Sequence, residues 1–479
     1  MNDSALPTDA VPLCLDIAGT LTPANLRIER AIRAFKEAPP LLGWLLRRRR
    51  ARRASATHAS HAAGSDSAAA RSLPFNAEVL NWLRQQRSAG QRLVLLADGD
   101  PQLAEQIAEH LGLFDEIAST AGTGSTSERK RRALVERFGE HGFDYAGSDA
   151  ADMIVWEASR AALVVGDRSL SERVALKTRV LRFFPASRPT LRTWIKAIRL
   201  HQWVKNALVF LPALLAHRIG EPAVMLESAM AFAAFGCCAS SVYVTNDLFD
   251  LASDREHPRK RRRPFAAALL SVRSGIIAAC ILLLCASLLA AVIGIKFALV
   301  LACYYVVTWA YSLRLKRLAL LDVMTLAGLY TLRIISGSAA THIELSFWLL
   351  AFSVFLFLSL GFVKRYAELY DSRKAGKLHG HGRGYGPDDL ALIMSLGTAA
   401  GYSAVVVIAL YINSVDSIAL YHHHKTMWLI CPLMLFWISR VWMLTARGQM
   451  HDDPVVFAMR DRTSLLVVGA LGLIVLWAI

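Results

Sequence analysis

The chain lacks the marks of a secreted, disulfide-built or zinc-finger protein. Its seven cysteines form no CxxC pair, and most of them (Cys237, Cys238, Cys280, Cys285, Cys303 and Cys431) lie inside apolar runs. Cysteines so placed read as small reduced hydrophobes, not as a disulfide or metal framework. No basic n-region, short apolar core and cleavage site open the chain, so residues before about 200 are expected to stay in the cytoplasm. No clear internal repeat is visible, which gives no support to a transporter built from inverted halves. Acid is scarce: 38 Asp and Glu stand against 54 Lys and Arg, a formal charge of +16. With 54% hydrophobic residues and a mean hydropathy of +0.36, this basic excess does not describe a soluble nucleic-acid binder. The basic residues flank apolar runs instead, the pattern of an integral membrane protein with positive cytoplasmic loops, so the expected partner is a lipid bilayer and not nucleic acid.

Three of the acids stand together at the end of an apolar run. Residues 241–264, SVYVTNDLFDLASDREHPRKRRRP, begin as the end of an apolar run and turn into three carboxylates followed by a basic block. Asp247, Asp250 and Asp254 are spaced i, i+3, i+7 and so fall on one face of a helix. A helix end followed by a positive loop accounts for the arginines but not for three acids where the chain enters a bilayer, because such acids are costly and usually functional. Mg²⁺ is held by a few carboxylates while substrate phosphate oxygens complete its shell. Arg255, Arg259, Lys260, Arg261, Arg262 and Arg263 then supply the chemistry for a further phosphate.

The first 185 or so residues alternate short apolar runs with helical periods, an α/β signature. Strands are expected at residues 11–15, 92–97 and 162–165, and helices at 77–87 and 101–111. Residues 47–53 are nearly all arginine, either a basic amphipathic segment on an anionic bilayer or a solvated charge run. Residues 54–72 read as a flexible Ala/Ser/His/Gly-rich loop. From about residue 200 apolar runs long enough to span a bilayer follow one another. Nine spans are expected, near 206–219, 223–246, 275–293, 297–313, 319–340, 346–363, 389–412, 427–445 and 463–478. Loops that would then be inner carry nearly all the basic residues, which places the chemically rich loops in the cytoplasm.

Within the spans, Asp322 and Arg333 are eleven residues apart and return to nearly the same helix face, pointing into a bundle or polar cavity. A structural ion pair is the blander account. Lys205 and Asn206 precede the first span, where a phosphate is met from the side. The Gly/His-rich loop at 377–386, with Arg383 and Tyr385, either closes over a site or is merely flexible. His422, His423 and His424 read as an interfacial loop before a metal site, and HDDPVVFAMRDRTS at 451–464 carries Asp452, Asp453, Arg460 and Asp461 with no assigned role.

Two family resemblances follow from these stretches. LDIAGTLT, LVLLADGDPQLAEQIAEHLGLFDEI and FDYAGSDAAD resemble the haloacid dehalogenase (HAD) superfamily of phosphohydrolases. The resemblance implies Asp16 as nucleophile, Lys130 as phosphate-binding lysine, and Asp149 or Asp152 as a Mg²⁺ ligand. The chain departs from that family at Ala18, where the general acid belongs, and at Ala97, where a hydroxyl residue is expected. A degenerate or regulatory domain is therefore favoured over an active phosphatase.

NDLFDLASDREHPRKRRRP resembles the NDxxDxxxD signature of the UbiA superfamily of intramembrane prenyltransferases, in which Mg²⁺ on acidic motifs carries a diphosphate. Asn246, Asp247, Asp250 and Asp254 complete the first motif, whereas the second, usually DxxxD, has Asp322 followed at 326 by leucine. RLHQWVKN, DREHPRKRRRP and YSLRLKRLALLDV…LYTLR are similar to the branch that passes phosphoribose from phosphoribosyl pyrophosphate to a polyprenyl phosphate. That resemblance implies Asp247, Asp250, Asp254 and Asp322 as catalytic residues, with Lys205, Asn206, Asn246, Lys260, Arg263, Tyr311, Lys316 and Arg333 binding substrates. The expected architecture is an α/β HAD-like domain over residues 1–185, then an all-α polytopic bundle of about nine transmembrane helices over 186–479. A prenyltransferase moving a prenyl group from a polyprenyl diphosphate to an aromatic or other acceptor is the alternative. A transporter or membrane scaffold for the soluble domain is the third.

Overall fold

The computed structural model describes residues 11–37, 70–120, 123–186, 188–374, 384–450 and 453–479. The arginine run at 47–53, the loop at 54–69, Arg383 with the rest of the Gly/His segment at 375–383, and Asp452 lie outside the described residues. The chain forms two compact units, residues 1–197 with 244–278, and residues 198–243 with 279–479.

The first unit is built on a six-stranded parallel sheet of order β3-β2-β1-β4-β5-β6. Its strands are β1 Leu13–Leu15, β2 Leu93–Ala97, β3 Glu116–Ser119, β4 Asp144–Gly147, β5 Ala161–Gly166 and β6 Arg179–Pro185. LCL and LVLLA are apolar at every position because both faces of a parallel sheet are covered. One face packs Leu13, Leu15, Leu93 and Leu95 against Val79, Leu83 and Ile107. The other packs Cys14, Val94 and Leu96 with Tyr145, Val155 and Trp156. Helices α1 Leu26–Glu37, α2 Ala77–Ser88, α3 Pro101–Leu111, α4 Thr126–Phe138, α5 Met153–Ala158 and α6 Arg168–Ala175 connect the strands. Local chemistry sets their starts: Asp100 caps α3 with Pro101 in its first turn, and Ser125 with Glu128 forms a capping box on α4. The order reverses at β1, which pairs with β2 on one side and β4 on the other. Ligands of open α/β sheets bind beyond the strand C-termini at such a switch point.

The rest of the chain is helical. Among the described residues seven helices are long and apolar enough to cross a membrane: Pro222–Phe249, Val272–Ile293, Ile295–Leu313, Leu321–Thr341, Phe347–Lys374, Leu390–Ile412 and His424–Ala446. We label Pro222–Phe249 α7, the short Leu251–Glu256 α8, and the next four long helices α9 to α12, ending with Phe347–Lys374. Residues 206–219, expected as a first span, instead form a 3₁₀ stretch Leu200–Phe210 and a five-residue helix Leu211–Leu215. The last expected span is the 17-residue apolar helix Arg462–Ala478, shorter than the seven. The 3₁₀ stretch is held by close packing. A Cβ placed on Gly337 of α11 (Leu321–Thr341) would lie 2.0 Å from the Val209 carbonyl oxygen. Trp203 covers Gly236 in the same way and donates its indole N–H to Ser240 Oγ at 2.9 Å, so it is an internal strut and not a free interfacial anchor.

Gly337→Ala is thus expected to push the 3₁₀ stretch off α11, at the roughly 1–3 kcal/mol typical of overpacking. Thermal unfolding of purified protein in detergent checks it; an unchanged midpoint would mean the contact is slack.

Candidate active site

Three groups of buried polar residues stand out, two in the first unit and one in the second. At the switch point of the sheet, Asp16 leaves the end of β1 and is buried with Lys130 of α4 and Asp152. Lys130 Nζ lies 2.7 Å from Asp16 and 3.4 Å from Asp152. Both Asp152 oxygens are already used, one by Ser127 Oγ at 2.9 Å and the other by Tyr145 OH at 3.0 Å. Asp149 caps a short turn through Ala151 N. The structure therefore brings Asp16, Lys130 and Asp152 together around a cation, while Ala18 and Ala97 add no proton donor or hydroxyl. Burial pushes the Asp16 carboxyl up to about 6 against the pull of Lys130. Burial also works against the Lys130 ammonium, but Asp16 and Asp152 outweigh it and keep the charge.

The second group is the acidic motif, also in the first unit. α7 (Pro222–Phe249) ends just before Asp250, and α8 restarts at Leu251. The ladder runs through the break, with Asp250 N donating to Asn246 O and Asp254 N to Asp250 O. Asp247 and Asp254 are buried and converge on a single nitrogen, Arg263 Nη1, at 3.1 and 2.6 Å. Lys260 Nζ stands 4.0 Å from Asp254. Asp250 is half-buried at the junction of α7 and α8. Among the described residues no group of three His, Cys, Asp or Glu side chains is arranged around a metal position, and residues 422–424 form none. A pair of carboxylates closing on one cationic atom does fit Mg²⁺, which takes one or two carboxylates and leaves the remaining positions to substrate phosphate and water.

The third group lies within the second unit. Asp322 and Arg333 are both buried on α11, but they do not pair with each other. Arg333 donates to Asn206 Oδ1 at 2.9 Å, Tyr304 OH at 3.0 Å and its own helix carbonyl of Leu329. Asp322 meets Arg365 Nε of α12 at 2.5 Å and accepts from Tyr385 OH at 3.1 Å. Arg365 also reaches Glu368 and Tyr311 OH, the latter at 2.9 Å. Lys205 Nζ lies 2.7 Å from Asp453, which Lys364 approaches at 3.3 Å and Tyr330 OH at 3.1 Å. Burial alone would raise the Asp453 carboxyl, but Lys364 and Lys205 outweigh it and hold it well below the usual range.

The structure thus places Lys205 with Asp453, Asn206 with Arg333, and Asp322 and Tyr311 with Arg365, all within the second unit. Lys316 sits in the short turn Leu315–Arg317 at the end of the α10 helix Ile295–Leu313, outside the hydrogen bonds just described. Lys364, Arg365, Asp453, Tyr304 and Tyr330 have no site role in the sequence reading. The available signal was charge inside an apolar run, as in GFVKRYAEL, and the unassigned Asp453. Tyr385, read as part of a closing or flexible loop, is buried and fixes Asp322.

Asp16 gives a pH signature. The folded chain keeps a proton on Asp16 that the unfolded chain releases above its ordinary carboxylate pKa. The resulting stabilisation is full at low pH and is lost as pH rises through about 6. Asp16→Asn is expected to remove this slope, read as the difference in thermal midpoint between about pH 5 and pH 7.5. Identical slopes in variant and wild type would mean that Asp16 stays ionised throughout.

The profile of the UbiA prenyltransferase family matches residues 207–476. An uncharacterized protein of Sinorhizobium fredii, y4nM, is 36% identical over 96% of this chain and 89% of its own length. Decaprenyl-phosphate phosphoribosyltransferase of Mycobacterium tuberculosis is 38% identical over 38% of this chain and 62% of that protein. A UbiA homolog from Archaeoglobus fulgidus, solved with GPP and Mg²⁺, superposes with a TM-score of 0.46 at 16% identity, over 59% of this chain and 99% of that one. The matched region contains the acidic motif, Asp322, Arg333, Arg365 and Asp453 of the second unit and all seven long apolar helices, while Lys205 and Asn206 lie just before it. This chain is an integral membrane transferase and belongs to the UbiA prenyltransferase family.

Proposed function

We propose that the chain is a Mg²⁺-dependent transferase that moves phosphoribose from phosphoribosyl pyrophosphate to a polyprenyl phosphate, with release of pyrophosphate. The observation that carries the reading is the convergence of Asp247 and Asp254 on one cationic nitrogen, beside Lys260. The relatives named as decaprenyl-phosphate phosphoribosyltransferases support the choice of donor and acceptor. In the transfer, a lipid phosphate oxygen forms a bond to C1 of the ribose. The bond from C1 to pyrophosphate breaks, and its electron pair leaves with pyrophosphate.

Asp247 and Asp254 would hold Mg²⁺, with Asp250 and Asn246 beside them in the motif. The metal supplies charge neutralisation of the leaving pyrophosphate. Arg263, released from the two carboxylates, and Lys260 would take the donor's 5-phosphate. Lys205, Asn206 and Arg333 would bind the lipid phosphate, and Asp322 would hold Arg365 and Tyr311 in place. Lys316 would add positive charge for the donor. No residue needs to become covalently attached, because alignment and charge compensation suffice for such a displacement.

Residues 186–479 would be the transferase domain, and residues 1–185 a HAD-like domain that faces the cytoplasm with the acidic motif. Asp16, Lys130 and Asp152 would there bind a phosphorylated group without hydrolysing it efficiently, since Ala18 cannot protonate a leaving group. Leu326 disfavours a conventional prenyl diphosphate donor. It stands where the second motif needs an acid and lines a small cavity with Tyr330, Lys364 and Asp453.

Label from phosphoribosyl pyrophosphate is expected to enter a polyprenyl phosphate product, identified by mass spectrometry of the lipid. Use of a prenyl diphosphate and not this donor by wild-type protein would overturn the reading. Asp254→Asn is expected to lower turnover at least about 100-fold, the scale for loss of a key electrostatic group. Near-normal turnover in folded variant would remove the metal assignment. Lys260→Ala should raise the donor KM more than it lowers kcat, because the 5-phosphate contact is the same in ground and transition states.

A further inference from the structure

Arg255 follows Asp254 in the acidic motif and opens the basic block, yet its guanidinium is not open to a phosphate. Only 6% of its side chain is exposed. Its Nη1 and Nη2 donate to the two carboxylate oxygens of Glu29, each at 2.8 Å. Its Nε donates to the Ala266 carbonyl at 3.1 Å. This is a bidentate fork, the geometry in which a guanidinium holds a carboxylate with both strength and direction. Glu29 comes from α1 (Leu26–Glu37), the first helix after Asp16 and 226 residues earlier in the chain. Arg255 therefore ties together α1, α8 with Asp254, and the loop at 257–271 that carries Lys260 and Arg263.

We infer that Glu29 is a positioning residue of the transferase's donor site: acting through Arg255, it sets the acidic helix and the basic loop in register. The inference rests on the proposed metal role of Asp247 and Asp254. Both acids share Arg263, and Arg263 sits on the loop that Arg255 anchors through Ala266. If α8 shifts against that loop, the two carboxylates no longer close on one position. Glu29 touches neither substrate nor metal in this role. It orients the ligands as outer partners do in metal sites generally. The α/β portion thereby becomes a structural contributor to transfer, whatever the Asp16 site binds.

The test is Mn²⁺ binding in the presence of pyrophosphate, followed by electron paramagnetic resonance on the full chain in lipid nanodiscs, with thermal unfolding run in parallel. Glu29→Gln is expected to weaken Mn²⁺ binding about 10–100-fold, the range for residues that orient metal ligands, while the protein stays folded. The double variant Glu29→Gln/Arg255→Met should bind no more weakly than Arg255→Met alone, because Glu29 acts only through that arginine. In turnover, the donor KM should rise while the lipid KM does not move. If Glu29→Gln does not fold, Glu29→Asp, which keeps the charge on a shorter stem, carries the same comparison. Wild-type Mn²⁺ affinity in the folded variant overturns the positioning role alone. A wild-type protein that binds no Mn²⁺ overturns the metal reading of the acidic motif, and this inference with it.

Discussion

The helical unit depends on how it keeps ionised side chains inside apolar surroundings. Arg365 and Asp322 are almost fully enclosed, and each would be prohibitive alone. Their approach at 2.5 Å, with Tyr385 and Tyr311 completing the set, makes the burial tolerable. Breaking such a pair by removing one member typically costs about 3–5 kcal/mol, because the partner is left charged and unpaired. The pair also locks α11 to α12. Gly361 lets α12 approach so closely that a Cβ there would stand 2.8 Å from Val323, the neighbour of Asp322. Small residues are what allow membrane helices to come this near. Once that crossing is set, Arg333 on α11 and Lys364 on α12 are set too, and with them the hydrogen bonds to Asn206 and Asp453.

What could be read in the sequence follows from which interactions are local. The strands around Leu13–Leu15, Leu93–Ala97 and Ala161–Gly166 were legible because a parallel sheet covers both faces and leaves uninterrupted apolar runs. The helix Pro101–Leu111 was legible from its proline start and glycine stop. The acidic motif was legible because its acids are neighbours on one helical path. Periodicity also put Asp322 and Arg333 on one buried face of α11. It could not say which side chains they would meet, since Arg365 lies 43 positions after Asp322 in sequence, on another helix. Lys364 and Arg365 resemble ordinary basic residues at the inner end of a span. Only the fold shows that they turn inward.

The helix count shows a second limit. Residues 206–219 are apolar enough to suggest a span, but the polar residues Lys205 and Asn206 at its start are buried by partners far away in sequence. A segment whose polar end is satisfied inside the protein need not run straight across a bilayer, and irregular backbone is tolerated there when neighbouring protein encloses it. The division between composition and compactness has the same origin. Hydropathy changes near residue 185, yet residues 244–278 group with the α/β portion. Composition marks where the solvent changes along the chain, whereas remote pairs such as Glu29 and Arg255 decide which segments pack together.

The acidic motif combines these themes. Two carboxylates that converge on one atom, as Asp247 and Asp254 do, repel each other, and a cation between them offsets that repulsion. Arg263 supplies that cation from within the chain, so both acids are kept aimed at a common point. In the proposed reaction this has a second consequence. A metal that takes the carboxylates must displace the guanidinium, and the displacement weakens binding of the metal alone. A metal that arrives with a diphosphate meets a different balance, because the released guanidinium gains a phosphate as its new partner. Under the proposed function, binding of metal and donor together would thereby be favoured over binding of either one by itself. The arginine would couple the two through a single side chain, with no change of fold required.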